Sequence, residues 1–337
     1  MKRIIVVTIF GFLVAGTSAT YLGCKKDEGP TGTATPNIPT YPVSAVVLNP
    51  QGQPQGGALL TLKNPPYAST IFSTFTDTAG KGTIQSPAGA QTIVAKIGSA
   101  FQAEIPVNVA ANPQGTNAGT IRLVQNTAVK ILVVRASAEQ LEDVLHIIGF
   151  STFDSTYIIA MRDSANADST RFLNFLKQYT LIYSDCHAGS EGGSSYALLS
   201  RVYGRFVQGG GKMYGGHYNY YHLQRIWIPY YTQFDNQGTP SQDTISIVDP
   251  SLQGFIGFSL AKWNSTDSRN LSGYEKFSNL SVGSKVYGVI YKTNPPVGVI
   301  VENYVGTGKY LWTDYHNQDI KNDPKLVKIV QYFLLNL

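Results

Sequence analysis

The sequence predicts a multidomain fold, with an all-β sandwich over residues 43–125 and an α/β domain with a parallel sheet over residues 127–337. Three observations predict it. In the first region, short β-branched runs alternate with Pro- and Gly-rich turns. In the second region, strand-like and helix-like segments alternate, which is typical of a parallel sheet covered by helices. Within that region, Gly209–His217 passes from a Gly-rich turn through a short apolar strand into an aromatic segment.

Composition narrows the class of protein. The chain has 337 residues, of which 43% are hydrophobic and only 14% are charged, and it contains 21 Tyr. The formal net charge is +5, and no Lys/Arg cluster rises above this mild excess. A nucleic-acid-binding domain normally carries a basic patch, so we expect no nucleic acid partner. A neutral, Tyr-rich surface favours an extracytoplasmic protein.

The first 23 residues predict a signal peptide, because Lys2 and Arg3 precede an apolar run of signal-peptide length. The run Tyr21–Cys24 resembles a bacterial lipobox, which implies that Cys24 is acylated and holds the protein in a lipid bilayer. The following Lys25–Glu28 resembles an export signal to the outer face of the outer membrane. We therefore expect a lipid-anchored, cell-surface protein of the outer membrane. The alternative is an ordinary secretory signal with an incidental Cys.

A tether and a β-rich region follow the anchor. Residues 24–42 are rich in Pro, Thr and Gly without apolar periodicity, which predicts an extended linker. Beyond it, the β-branched runs between turn residues predict a set of strands: Val43–Leu48, Ala58–Leu62, Ser69–Thr76, Thr92–Ile97, Ala103–Val109 and Gly119–Val124.

Turn sequences give this region a family resemblance. Val46–Pro54, Gly57–Ala58 and the hairpin Thr76–Gly82 resemble the carboxypeptidase regulatory-like, transthyretin-like domain, in which the hairpin leads into the next strand. Asp77 and Glu104 are its only acidic residues, too few for a convincing metal or acid–base site. We expect a spacer or accessory sandwich, with binding of a sugar or protein as the alternative.

The second region shows alternating strands and helices. An N-cap at Ser137 and a helix end at Gly149 bound the first helix. The predicted elements are strand Val129–Arg135, helix Ala138–Ile148, strand Thr156–Met161, helix Ser169–Gln178, strand Leu181–Ser184, helix Tyr196–Val207, strand Lys212–Gly215, a helix entered at His217 and a final helix Pro324–Leu335.

Strand, tight turn and helix form a nucleophile elbow, which raises one side chain above the carboxyl end of a parallel sheet. Here the raised residue is His217. The segments Tyr179–Gly189, Gly209–His217 and Tyr310–Gln318 resemble the class I glutamine amidotransferase-like superfamily, a flavodoxin-like fold that includes the trehalose-utilisation (ThuA-like) group. Residues 233–298 do not align and predict a strand-rich insert.

The resemblance places His217, His316 and Gln318 at the Cys, His and Glu positions of the amidotransferase triad. An imidazole cannot replace a thiolate nucleophile, and an amide cannot stabilise an imidazolium as a carboxylate does. We therefore expect no glutamine hydrolysis and a degenerate site, a pseudoenzyme.

A cysteine nucleophile and a metal site are two alternatives at the same edge of the predicted sheet. Cys186 is an alternative nucleophile with His217 or His316 as its base, although a lone Cys at a strand end is more often a small core residue. Together with Asp185, the three histidines His187, His217 and His316 form an alternative metal site. We expect no cofactor.

Aromatic residues gather near the same edge, where they could stack on a sugar or a partner, or fill the core. They are Tyr214, Tyr218, Tyr220, Tyr221, Trp227, Tyr230, Tyr231, Trp312 and Tyr315. The candidate ligand-binding residues are Tyr218, Tyr221, Asp185, His187, Tyr315 and Gln318.

The function that the sequence favours is binding of a carbohydrate or protein in the crevice above His217, without turnover. The alternative is a hydrolase or sugar-modifying enzyme that uses His217 and His316 with Cys186 or a metal. A third interpretation is a structural component of a surface assembly.

Overall fold

The computed structural model describes residues 38–136, 141–186, 193–226, 234–237, 243–263, 274–277, 284–290, 297–314 and 317–336. Residues Ile38–Leu337 belong to one compact unit. The predicted signal peptide, the predicted acylation site Cys24 and most of the predicted tether lie outside the described residues. Within those residues, none of the helices has the length and apolar character needed to span a membrane.

Two antiparallel-rich sheets form the first region. One has the strand order β4-β1-β7 and the other β3-β2-β5-β6-β8. Alternate residues such as Val43, Leu60 and Ile93 are fully buried, so the two sheets share a core. The strands are β1 (Thr40–Leu48), β2 (Leu59–Leu62), β3 (Ser73–Phe75), β4 (Lys81–Pro87), β5 (Gly89–Ile97), β6 (Phe101–Val109), β7 (Thr116–Arg122) and β8 (Val124–Gln125).

The sequence predicted the turn before β4 but misjudged the length of the strand that precedes the turn. Asp77 accepts two backbone N–H bonds of 2.9 Å, from Ala79 and Lys81, and so closes the predicted turn that leads into β4. The turn is not a β-hairpin, because β3 and β4 lie in different sheets. A Cβ at Gly80 would lie 2.4 Å from the carbonyl oxygen of Val47, so only glycine fits. The prediction of a strand over Ser69–Thr76 was too long, because a 3-10 turn at Thr70–Phe72 precedes β3.

The second region is built on one large sheet with helices on its faces. Its strands are β9 (Ile131–Arg135), β10 (Asp154–Tyr157), β11 (Leu181–Ser184), β12 (Lys212–Gly216), β13 (Phe234–Gln237), β14 (Asp243–Ile247), β15 (Leu260–Trp263), β16 (Tyr274–Phe277), β17 (Ser284–Ile290), β18 (Val297–Val305) and β19 (Gly308–Thr313). The helices are α1 (Leu141–Ile148), α2 (Ile158–Ala167), α3 (Ser169–Leu176), α4 (Ala197–Gln208), α5 (Tyr220–Ile226), α6 (Pro250–Ile256), α7 (Asn317–Asn322) and α8 (Pro324–Asn336).

Five strands of this sheet are parallel, in the order β10-β9-β11-β12-β19. Strands β9 and β11 at its centre are buried on both faces, as their near-continuous apolar runs require. The predicted strand Leu181–Ser184 agrees with β11. The prediction for Thr156–Met161 was wrong beyond Tyr157, because the apolar residues Ile158 and Met161 are buried at a helical spacing and begin α2.

The predicted insert does not form a separate layer. Strand β18 pairs antiparallel with β19, and β17, β14 and β15 continue the same sheet in antiparallel fashion. Strands β13 and β16 join it through the pairing of β16 with β18. The sheet is therefore mixed, whereas the sequence predicted a parallel one.

The two regions are in close contact at two places. Gly98, at the turn between β5 and β6, has φ +52°, and a Cβ there would lie 1.3 Å from the carbonyl oxygen of Leu335 in α8. The Gln51 side-chain amide also donates a 2.9 Å hydrogen bond to the carbonyl of His146. These contacts fix the β-sheets of the first region against the helices of the second.

Candidate functional site

Three neighbouring strands end at the same place. Strands β11, β12 and β19 are adjacent and parallel, so their carboxyl ends meet at one edge of the sheet. Cys186 follows β11 by two residues, His217 directly follows β12, and Asp314 directly follows β19. In open α/β sheets this edge is where ligands bind.

The turn after β12 has the elbow geometry. Among the described non-glycine residues, His217 alone has a positive φ, of 21°. Backbone strain of this kind costs about 1–3 kcal/mol and persists only where the surroundings impose it. A Cβ at Gly215 would lie 2.7 Å from both the Cβ of Asn219 and the hydroxyl of Tyr310, so the close turn requires glycine.

Hydrogen bonds hold the elbow in place. The indole Nε1–H of Trp312 donates to the carbonyl of His217 at 2.8 Å. The amide Nδ2 of Asn219 donates to the carbonyls of Gly216, at 3.1 Å, and of Asp185. The Tyr310 hydroxyl donates to the carbonyl of Asn219 at 3.4 Å, and burial raises the pKa of Tyr310 well above its usual value. The side chain of His217 is therefore positioned by both neighbouring strands.

The imidazole of His217 lies between a thiol and a carboxylate. Its Nδ1 is 3.4 Å from the Sγ of Cys186, and its Nε2 is 3.7 Å from Oδ1 of Asp314. Exposure is 4% for Cys186 and 1% for each of the other two residues. A nucleophile, a base and a carboxylate in this order resemble the residues of a catalytic triad, with the base and the carboxylate at an ion-pair distance that is longer than a hydrogen bond.

Asp185 is adjacent to this group but contacts the backbone. Its Oδ1 accepts from the backbone N–H of Cys186 at 2.8 Å, and its Oδ2 accepts from that of Ala136 at 3.2 Å. The carboxylate, which is fully buried, thus ties the loop after β11 to the end of β9. This fixes where the Cys186 thiol lies relative to His217.

The remaining predicted site residues divide into two groups. His187, Tyr315, His316, Trp227, Tyr230 and Tyr231 lie outside the described residues, as do the side chains of Tyr218, Tyr220 and Gln318. Of the described aromatic residues, Tyr214 and Trp312 are fully buried in the core, and Tyr221 is half-buried against it. Over the described part of the chain, His, Cys, Asp and Glu side chains do not gather in any group of three or more suited to a metal ion.

Sequence reasoning missed Asp314. The resemblance directed attention to His316 and Gln318, two and four residues further on. The signal that could have identified Asp314 is its position: an acidic residue directly after a buried strand, on the strand that neighbours the elbow. That neighbour relation between β12 and β19 is a long-range pairing, so local sequence patterns do not show it.

Comparison with known proteins leaves the family open. No protein-family model and no curated protein matches the chain. Similar solved structures include a protein from Thermoplasma acidophilum that is assigned to GMP synthase, with 10% identity over 63% of this chain and 95% of that one and a TM-score of 0.43. A glutamine amidotransferase from Thermotoga maritima has 12% identity over 63% and 94%, with a TM-score of 0.36.

A cold-adapted β-galactosidase from Rahnella sp. R3 is also similar, with 11% identity over 63% of this chain and a TM-score of 0.37. This chain spans only 31% of the β-galactosidase. Amidotransferase-like proteins are thus among the structural neighbours. At these TM-scores the structural similarity decides neither the family nor the activity. The chemistry of the site is therefore inferred from the positions of its own residues.

Proposed function

We propose that the chain is a thiol-dependent hydrolase, in which Cys186 attacks an acyl carbon of an ester, thioester or amide. The observation that carries the proposal is the contact of 3.4 Å between the Cys186 Sγ and the His217 Nδ1, with Asp314 on the other imidazole nitrogen. A thiolate generated by a neighbouring imidazole is a strong nucleophile.

The steps follow from these positions. Nδ1 of His217 takes the thiol proton, and the thiolate attacks the carbonyl carbon to form a tetrahedral adduct. Collapse of the adduct breaks the bond to the leaving group, which receives the proton from Nδ1. The resulting acyl-thioester on Cys186 is hydrolysed by a water molecule whose proton passes to the same nitrogen and then to the departing thiolate. Asp314 orients the ring and stabilises the imidazolium in both halves of the reaction.

This arrangement differs from the one that the amidotransferase resemblance implies. The nucleophile moves from the elbow to the end of the neighbouring strand β11, and the base takes the elbow. Asp314 then takes the role for which the resemblance offered Gln318. The proposal therefore keeps the prediction that glutamine is not hydrolysed from the elbow, and it uses the alternative in which Cys186 works with His217.

Binding without turnover is the second candidate, and burial favours it. At exposures of 1% to 4%, Cys186, His217 and Asp314 are nearly closed to solvent. A site closed in this way fits a degenerate domain that binds a carbohydrate or protein partner on its surface. The two candidates differ in one measurable property, which is whether an acyl group reaches the Cys186 thiol.

The deciding experiment measures acylation of Cys186 in the full chain carrying Cys24→Ser, where Cys186 is the only thiol. The protein is mixed with p-nitrophenyl acetate, release of p-nitrophenol is followed by stopped flow, and the acetylated peptide is located by mass spectrometry. We expect a burst of one equivalent per chain, with acetyl on Cys186, followed by slower steady hydrolysis.

Two variants distinguish acylation that is catalysed by His217 from uncatalysed acetylation of a thiol. Cys186→Ala removes the burst, and His217→Gln slows it by about 10²-fold or more, the usual loss of a general base. Cys186 that is not acetylated, or is acetylated equally fast in His217→Gln, would contradict the hydrolase and leave binding without turnover as the function.

We propose in addition that Cys24 anchors the protein in the outer membrane and exposes it at the cell surface. Support comes from the lipobox-like run and the acidic–basic segment that follows it. Metabolic labelling with a palmitate analogue tests this, with Cys24→Ser as the control. The label and the membrane association are expected in the native chain and lost in the variant, and an unlabelled, membrane-free native chain would contradict it.

A further inference from the structure

A cleft lies where the two regions of the chain meet, and its lining includes none of Cys186, His217 and Asp314. Its volume is about 830 Å³, within the range of small-molecule sites. The first region supplies the outer face of the sheet β3-β2-β5, and the second supplies helices α6 and α8. The residues that line it are Gly56, Gly57, Leu59, Phe75, Thr76, Asp77, Thr78, Lys96, Ile97, Gly98, Ser251, Gly254, Phe255, Tyr332 and Asn336.

The floor of the cleft is a row of three side chains, one from each of the strands β3, β2 and β5. Leu59 pairs directly with Phe75 on one side and with Lys96 on the other, so their side chains share a face. Phe75 is 70% exposed, the largest exposed fraction among the large hydrophobic side chains that the structure describes. A ligand in the cleft would cover this ring.

The wall of the cleft is built from packed aromatic rings. Phe255 and Tyr332 pack edge to face, with ring centroids 5.4 Å apart. The ring of Phe255 rests against Gly57, where a Cβ would lie 2.9 Å from it. Gly98 is in equally close contact with α8. Because these contacts are present without a ligand, the wall is already formed beside the floor, and a preformed site reduces the entropic cost of binding.

The polar groups of the cleft define the ligand class. Of the described residues that line it, Lys96 is the one cation and Asp77 the one anion. A phosphate ester would call for several cations, and the hydrocarbon chain of a fatty acid would not use the polar groups that line the cleft beside Lys96. Groups that both donate and accept hydrogen bonds, set between aromatic faces, suit a neutral polyhydroxylated molecule with C–H patches.

We propose that this cleft binds a neutral saccharide of about disaccharide size, which stacks on Phe75 and hydrogen-bonds to Lys96, to Oδ2 of Asp77 and to Oδ1 of Asn336. The other polar atoms of these two side chains serve the backbone, since Oδ1 of Asp77 accepts from Ala79 and Lys81 and Nδ2 of Asn336 donates to the carbonyl of Tyr332. The site is independent of Cys186, so the hydrolase can fail without affecting it.

The test is calorimetric titration of the full chain with cellobiose, maltose, lactose and N,N′-diacetylchitobiose, each at up to about 10 mM, which reaches dissociation constants in the millimolar range. Phosphate and octanoate are titrated in parallel as the competing ligand classes. At least one sugar is expected to bind, and neither anion is.

Three variants localise the binding. Gly254→Trp fills the cleft from α6, where nothing lies within 4 Å of the position of a Cβ, and it abolishes binding. This variant removes a helical glycine, so it retains its stability. Phe75→Ala weakens binding by about tenfold, the size of one lost ring contact. The control Tyr157→Ala removes an aromatic side chain that is 58% exposed on β10, and it leaves binding unchanged.

No heat from any of the four sugars would overturn the proposal. Sugar binding that survives Gly254→Trp would also overturn it, because the ligand would then lie elsewhere. Binding of octanoate or phosphate that Gly254→Trp abolishes would assign the cleft to a different ligand class.

Discussion

Two sites, one in each region of the chain, use their buried polar side chains differently. In the first region, the Thr76 hydroxyl donates to the carbonyl of Gln55 at 2.6 Å and accepts from the N–H of Ala58 at 2.9 Å, so it serves the backbone. At the sheet edge of the second region, Cys186, His217 and Asp314 face one another. A buried hydroxyl that satisfies backbone groups stabilises a fold, whereas titratable side chains that face each other are arranged for chemistry.

The largest expected effect comes from removing the backbone-serving hydroxyl. Thr76→Val keeps the shape of the side chain but leaves the Ala58 N–H and the Gln55 carbonyl unpaired in the core. Each unpaired group costs about 1–3 kcal/mol, so we expect a loss of about 3 kcal/mol in the free energy of unfolding, measured by urea denaturation. Thr74→Val, on the neighbouring and more exposed strand β3, is the control and costs less than about 0.5 kcal/mol.

A substitution at the carboxyl edge of the parallel strands is expected to lower the free energy of unfolding by less. Cys186→Ala removes a thiol, which is a weak hydrogen-bond partner, and a small volume. The expected loss is about 1 kcal/mol in the same denaturation experiment, while the acylation burst disappears completely. A loss as large as that of Thr76→Val would mean that the thiol–imidazole contact is structural, and the contrast between the two regions would fail.

The same contrast explains what the sequence could predict. Local patterns predicted β11, the helix from Ser169 and the strand from Lys212 into the bend at His217, because apolar runs, caps and glycines act over a few residues. Asp314 was missed because its importance depends on the pairing of β12 with β19, almost a hundred residues apart. The mixed sheet was missed for a different reason: β17, β18 and β19 pair with their neighbours along the chain, in and directly after residues 233–298, which the resemblance did not cover. Strand β14 then joins β17 across about forty residues.

The third prediction concerns strain at the elbow. If the φ of +21° at His217 is imposed by the surrounding strands, His217→Gly relieves it and His217→Ala does not. Both variants leave a similar cavity, so their difference isolates the backbone. We expect the Gly variant to be more stable than the Ala variant by about 1 kcal/mol, measured by thermal unfolding. An Ala variant that is equally or more stable would show that the elbow carries no strain.

The smallest effect is expected at the opposite edge of the parallel strands, where polar side chains pair on the surface. The Tyr179 hydroxyl donates to Oδ2 of Asp154 at 2.8 Å. Burial, followed by this hydrogen bond to the carboxylate, raises the pKa of Tyr179 from 10.0 to about 12. The unfolded chain therefore loses this proton first as the pH rises, so the stability that Tyr179 contributes is present below pH 10 and is lost towards pH 12.

Urea denaturation of the native chain and of Tyr179→Phe across this range measures the effect. Below pH 10 the variant is expected to be less stable by a few tenths of a kcal/mol, as for other exposed pairs, and the difference shrinks as the pH approaches 12. In an Asp154→Ala background the same substitution should change little, because the acceptor is gone. A difference that stays constant with pH would show that the hydroxyl contributes without a change of its pKa on folding, because Phe keeps the packing of the ring. In that case the contrast between titratable contacts at the two edges of the sheet would rest on the carboxyl edge only.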